Sequence, residues 1–169
     1  MTVAQGLTKT AEEIKKAVDT KTEAKEAPHK VGFTLSAKDE KNIKGVHPKL
    51  QVVVRFAAQI SNVAFMVVEG ARSIERQKEM VKGGLSKTMK SLHLPQEDGY
   101  SHAVDMYPVV DGRMVNDWCV PWLSKEQSMK AWTDMATAMK AAAATREVVL
   151  TWGGDWNSFK DGPHFQIEL

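Results

Sequence analysis

The sequence predicts an α+β domain built on a small, mostly antiparallel sheet flanked by helices. Strand-like and helix-like segments are mixed without the regular βαβ spacing that a parallel sheet requires. A two-residue Asp111-Gly112 turn joins HAVDMYPVV to RMVND as a hairpin. The C-terminal HFQIEL alternates, with Phe165, Ile167 and Leu169 on one side and His164, Gln166 and Glu168 on the other, as a half-buried strand does.

The remaining elements follow in order. Residues 1 to about 30 are rich in Lys, Glu, Thr and Ala, and only Ile14 and Val18 share a helical apolar spacing, so this stretch is expected to be a mobile or helical arm preceding a domain over 31–169. Ser36 with Asp39 caps a short helix that Gly45 ends. Pro48 starts a helix through LQVVVRFAAQISNVA, whose apolar residues run all round as in a core helix. AFMVVEG reads as a buried strand, and SIERQKEMVKGG as an exposed helix stopped by two glycines. Ser124 with Gln127 caps a long helix to about Ala144, and VVLTW is a second buried strand leading to GGDW.

Composition narrows the function. A chain of 169 residues, 43% hydrophobic and 26% charged, suits one core. A net charge of +2, with both signs interleaved, lacks the single-sign field of a nucleic-acid binder. The single Cys119 rules out an internal disulfide, which is compatible with a reducing cytoplasm, and it reads as a packed thiol. No N-terminal apolar segment marks export and no apolar run is long enough to span a bilayer, so no membrane insertion is expected.

Chemistry concentrates on a few residues. His29 lies in the arm and His47 precedes a helix-starting proline, so each reads as solvated or locally capping. His93 lies in the loop KTMKSLHLPQEDGY, while His102 and Asp105 share HAVDMYP, where alternation sets them on opposite faces. A carboxylate inside an apolar strand needs a partner, which a metal ion, an arginine or backbone amides can supply. Zinc accepts imidazole and carboxylate ligands, and a catalytic site characteristically uses three of them. His93, Asp105 and His164 offer such a set, and Asp161, one short loop before His164, is placed to take a proton from an attacking water. Trp118, Trp122 and Trp132 read as core or groove wall, and Trp152 and Trp156, bracketing two glycines, as walls of a substrate cleft.

The segments EGARSIERQ, GGLSKTMKSLHL, SHAVDMYP, TWGGDW and DGPHF resemble, in order and spacing, the motifs of the L-alanyl-D-glutamate peptidase endolysins of bacteriophages, relatives of the zinc D-alanyl-D-alanine carboxypeptidases. The resemblance runs from about Phe33 to the C-terminus and includes GVHPKL. It implies a zinc site in a cleft on the sheet, held by His93, Asp105 and His164, with Asp161 as catalytic base and Arg72 binding a substrate carboxylate. Gln77, Ser86 and Trp152 are expected to complete the substrate site. Two departures stand out: LPQEDGY intervenes between His93 and the Ala-x-Asp segment, and Ser101 replaces a family glycine. His102 matches a family position that is commonly histidine without being a ligand.

The implied function is a monomeric phage lysis enzyme that cleaves the L-alanyl-D-glutamate bond of the peptidoglycan stem peptide. It would be made in the host cytoplasm and reach the wall once another protein opens the membrane. A D-alanyl-D-alanine carboxypeptidase is the alternative within the class. A non-catalytic, zinc-containing wall-binding or phage structural domain is the alternative outside it, though such a site would have no use for Asp161.

Overall fold

The computed structural model describes residues 32–169, and the expected N-terminal arm lies outside them. The chain opens with α1 (Ala37–Asn42) and α2 (Pro48–Ile60), then β1 (Ala64–Glu69) and α3 (Ile74–Lys82). After a long loop come β2 (Ala103–Val110), β3 (Arg113–Met114), α4 (Lys125–Thr145), β4 (Val149–Trp152), a 3₁₀ turn (Gly153–Asp155) and β5 (His164–Glu168). The sheet runs β1-β2-β5-β4, with β3 paired to β2, and every pairing is antiparallel.

Local chemistry accounts for the element boundaries. Ser36 and Asp39 form a reciprocal capping box on α1, Pro48 occupies the first turn of α2, and Ser124 and Gln127 form a second box on α4. Asp111 and Gly112 both take positive φ, 49° and 72°, the two-residue turn that matches strand twist between β2 and β3. On the inner face of the sheet, Val104, Met106, Phe165 and Ile167 join Leu50, Val54, Met135 and Met139 of α2 and α4 in one buried core. Trp152 stacks on Phe165 at 6.1 Å, and Trp132 and Trp118 extend this aromatic layer around the end of the sheet.

Several expectations change. AFMVVEG and VVLTW are the two outer strands of the sheet, each buried on one face only, so Val68 is 45% and Val149 61% exposed. An apolar run suggests burial on both faces, but a strand's place in the sheet decides how much of it is covered. Helix α2 likewise buries Leu50, Val53, Val54, Ala57 and Ala58 on one face and leaves Val52 exposed. Cys119 and Leu169 are exposed and not packed.

Helix α1 closes the outer edge of β1. Asp39, buried at the end of the capping box, accepts the Val67 N–H at 2.8 Å, and Asn42 donates to Val67 O at 2.8 Å and Val68 O at 3.2 Å. Side chains thereby satisfy backbone groups that an edge strand would leave open. Asp39→Ala removes both the cap and the partner of a buried N–H, and is expected to lower unfolding free energy by about 2–4 kcal/mol in urea titration. Asp39→Asn, which keeps one acceptor oxygen for the two tasks, is expected to lose about half of that.

Candidate metal centre

Antiparallel pairing of β2 with β5 sets Asp105 directly across from His164. Both side chains rise from the face opposite the core, because their neighbours Val104, Met106 and Phe165 point inward. His93 reaches the same point from the loop after α3. Its backbone is tied down by Arg72 N–H donating to His93 O at 2.8 Å and His102 N–H donating to Leu92 O at 2.8 Å.

The three side chains meet in a near-equilateral triangle. His93 Nε2 and Asp105 Oδ1, His164 Nδ1 and Asp105 Oδ1, and the two ring nitrogens are each 3.3 Å apart. Second bonds fix both imidazole tautomers: His93 Nδ1–H donates to Gly70 O at 2.8 Å and His164 Nε2–H to Gln166 Oε1 at 3.0 Å. Each ring therefore turns an unprotonated nitrogen toward the carboxylate. Three lone pairs so close, at residues with 2% (His93) and 9% (His164) exposure, call for a cation between them. Edges of 3.3 Å also match a tetrahedron whose centre lies about 2.0 Å from each corner, the bond length of a first-row divalent ion to nitrogen or oxygen. The group can hold a metal ion, and among the described residues no fourth His, Cys, Asp or Glu joins it. Burial alone would raise the Asp105 pKa; protons on the facing nitrogens of His164 and His93, in the place a metal ion would take, outweigh it and hold the carboxyl well below the usual range.

Glycines bring the backbone close where the centre needs it. A Cβ on Gly70, whose carbonyl holds His93, would collide with Asn42 O and the Val46 side chain. Gly153 touches the Asp161 backbone in the same way, and accepts its N–H at 3.0 Å. The chain then turns back so that the His164 N–H donates to Asp161 O at 3.2 Å, which sets Asp161 beside the triangle without joining it. Burial raises the Asp161 pKa, the Asp105 charge adds to the effect, and His164 and His93 oppose it. The Trp156 ring stands 5.4 Å from the His164 ring and walls this side.

Other candidates take different places. Trp152 lies beneath the centre, 6% exposed, and donates to Gly162 O at 2.7 Å. Arg72, Gln77 and Ser86 form one chain of hydrogen bonds: Arg72 Nη1 donates to Gln77 Oε1 at 2.7 Å, and Gln77 Nε2 donates to Ser86 Oγ at 2.9 Å and Thr88 O at 2.6 Å. Gln77 is fully buried, so it holds Arg72 and the 84–88 loop from behind. Arg72 Nη2 pairs with Glu69 and lies 3.8 Å from Asp105 Oδ2. His102 faces away from the triangle. Its Nε2 is 2.9 Å from Asp98 Oδ2 of the LPQEDGY segment, and His47, which caps α2 through Nδ1, approaches the same oxygen at 3.7 Å. The sequence reading passed over Glu69, Gly70 and Gln166. Only Gln166 carried a local signal, being two residues from His164 on the same strand face.

Comparison with known proteins places this geometry. Residues 31–167 match a family described as phage L-alanyl-D-glutamate peptidase. The L-alanyl-D-glutamate peptidase of Escherichia phage T5 is 26% identical over 134 residues, 78% of this chain and 87% of that protein. The peptidoglycan L-alanyl-D-glutamate endopeptidase CwlK of Bacillus subtilis strain 168 is 24% identical over 119 residues, 68% of this chain and 66% of that one. The crystal structure of the Serratia marcescens L-Ala D-Glu endopeptidase ChiX superposes with a TM-score of 0.67 at 37% identity, covering 82% of this chain and 91% of that one. With a family match over residues 31–167 and a superposition that covers 82% of its length, the chain belongs to the phage L-alanyl-D-glutamate peptidase family.

Proposed function

We propose that the protein is a zinc-dependent endopeptidase that hydrolyses the L-alanyl-D-glutamate bond of the peptidoglycan stem peptide and serves as a phage lysis enzyme. The observation that carries this reading is the three-sided ligand set His93, Asp105 and His164 with a separate, half-buried carboxylate at Asp161 beside it. Two imidazole nitrogens and one carboxylate suit zinc, and a three-residue set leaves a position for substrate, whereas a structural site is filled by four protein ligands.

Zinc, when bound, supplies Lewis acidity that polarises the scissile carbonyl and makes water a better nucleophile at neutral pH. The chain does the rest. Gly70 and Gln166 keep both ligand imidazoles in the tautomer that presents a lone pair. Asp161 takes the proton of the attacking water and returns it to the leaving amine, and the upward push on its pKa favours that return. Trp156 excludes water from the His164 side. Trp152 supports the Gly162 turn behind Asp161, and the Arg72–Gln77–Ser86 chain forms the opposite wall. The peptidase unit is 31–169. Among the described residues no helix is long and apolar enough to cross a membrane, in keeping with an enzyme that meets the wall after another protein opens the membrane.

Metal analysis of purified protein is expected to give about one zinc per chain. His93→Ala, Asp105→Ala and His164→Ala each lower that content, and His102→Ala leaves it unchanged; loss of zinc in His102→Ala with retention in His93→Ala would reverse the ligand assignment. Asp161→Asn is expected to keep zinc and fold while turnover drops by roughly two to four orders of magnitude, read by the rate of amine release from a stem peptide. Digestion of purified walls, by the full chain or by one starting at residue 31, should release fragments with a new D-glutamate N-terminus in mass analysis. Free D-alanine with the L-alanyl-D-glutamate bond intact would leave the carboxypeptidase reading in its place.

A further inference from the structure

Arg72 offers the cleft no free edge. Its side chain is 5% exposed, Nη1 donates to Gln77, Nη2 is paired with Glu69, and Nε is sealed from solvent without a partner. Glu69 is the reverse case. Its side chain is 27% exposed and, among the described residues, only Oε2 is engaged, by Arg72, which leaves Oε1 as an unused acceptor. The irregularity in β1 between Val67 and Glu69 sets Glu69 across from Asp105, so this acceptor stands at the lip of the metal centre without belonging to it. Glu69 and not the sealed guanidinium is the more exposed partner of the pair, so a carboxylate at this lip faces a like charge. An N–H donor arriving there finds a charged acceptor already held in place.

We propose that Glu69 is a specificity-determining residue that accepts a hydrogen bond from an N–H donor of the stem peptide beside the scissile bond, and that Arg72 is a positioning residue that holds Glu69. The proposal rests on the endopeptidase reading and deepens it. It assigns the recognised chemistry to an amide and not to a free carboxylate. Stem peptides whose D-glutamate α-carboxyl is a carboxamide are therefore the preferred substrates over those in which it is ionised. Gln77, buried and bonded to both Arg72 and the 84–88 loop, keeps the guanidinium from swinging out to meet a carboxylate directly.

Two synthetic stem peptides, one with a D-glutamate α-carboxylate and one with the α-carboxamide, test this on the zinc-loaded full chain. Calorimetric titration of Asp161→Asn protein reads binding apart from turnover. The carboxamide peptide is expected to bind about ten-fold more tightly, and adding Glu69→Gln, which can donate as well as accept, should bring the two within about two-fold with zinc content unchanged. In the otherwise native chain the same preference should appear in KM and not in kcat. Arg72→Ala should lose it and Arg72→Lys restore part of it. Equal binding of the two peptides, or a carboxylate preference that Glu69→Gln strengthens, would overturn the proposal and make Glu69 a mask over a carboxylate-reading Arg72. Failure of the endopeptidase reading shows separately, as no cleavage of either peptide by the native chain while the Glu69-dependent binding preference persists. Binding of neither peptide would sink both.

Discussion

The registration of β5 against β2 is the constraint on which the site depends. Asp105 and His164 are cross-strand partners, so their separation is set by backbone hydrogen bonds and not by flexible side chains. A slip of β5 by one residue would turn Phe165 toward the metal centre and His164 into the core. Burial of Phe165 and Ile167 against Trp152 and the helices forbids that slip, so the apolar core on one face of the sheet holds the ligands in place on the other. His93 has no strand to hold it, and its position is fixed instead by the backbone of the Gly70–Arg72 segment. Two different devices, a ladder and a carbonyl grip, thus supply one triangle.

The same region shows why a partly buried ion pair beside a metal site is more than neutralisation. Arg72 approaches Asp105 Oδ2 while Asp105 Oδ1 faces the histidines, so the guanidinium steadies the carboxylate's second oxygen. Buried charges of this kind are retained where they fix an orientation, since their net contribution to stability is small. Gln77 and the 84–88 loop extend this hold to the surface, which makes the wall of the cleft one connected hydrogen-bonded unit.

Much of this was legible in the sequence wherever the signal was periodic or local. The period of two in HAVDMYP and HFQIEL separated Asp105 and His164 from their core neighbours, and the caps at Ser36 and Ser124 marked two helix starts. His93 lies in a loop with no period, so its chemistry made it a candidate ligand and the resemblance to a known family strengthened the assignment. The hold of Gly70 O on His93 and the exposure of Glu69 left no trace, because a carbonyl contact and a strand irregularity depend on chain segments remote in sequence. The error about AFMVVEG and VVLTW has the same root: an edge strand and a central one can share a composition, and only sheet order separates them.

The LPQEDGY segment has a further consequence. Leu92 and His102 are joined at its base by a backbone hydrogen bond of 2.8 Å, Gln96 and Tyr100 close it again at 2.9 Å, and Asp98 moors its tip to His102 and His47 on the side away from the ligands. His93 sits inside the first of these closures, but residues 97–99 lie beyond the second, a short side branch tied to His102 and His47 and not to the ligands. Loop length at this point is therefore a free variable for evolution and for engineering. Residues can be added at this tip, or a foreign peptide grafted there, with the Gln96–Tyr100 closure standing between the insertion and the metal ligands.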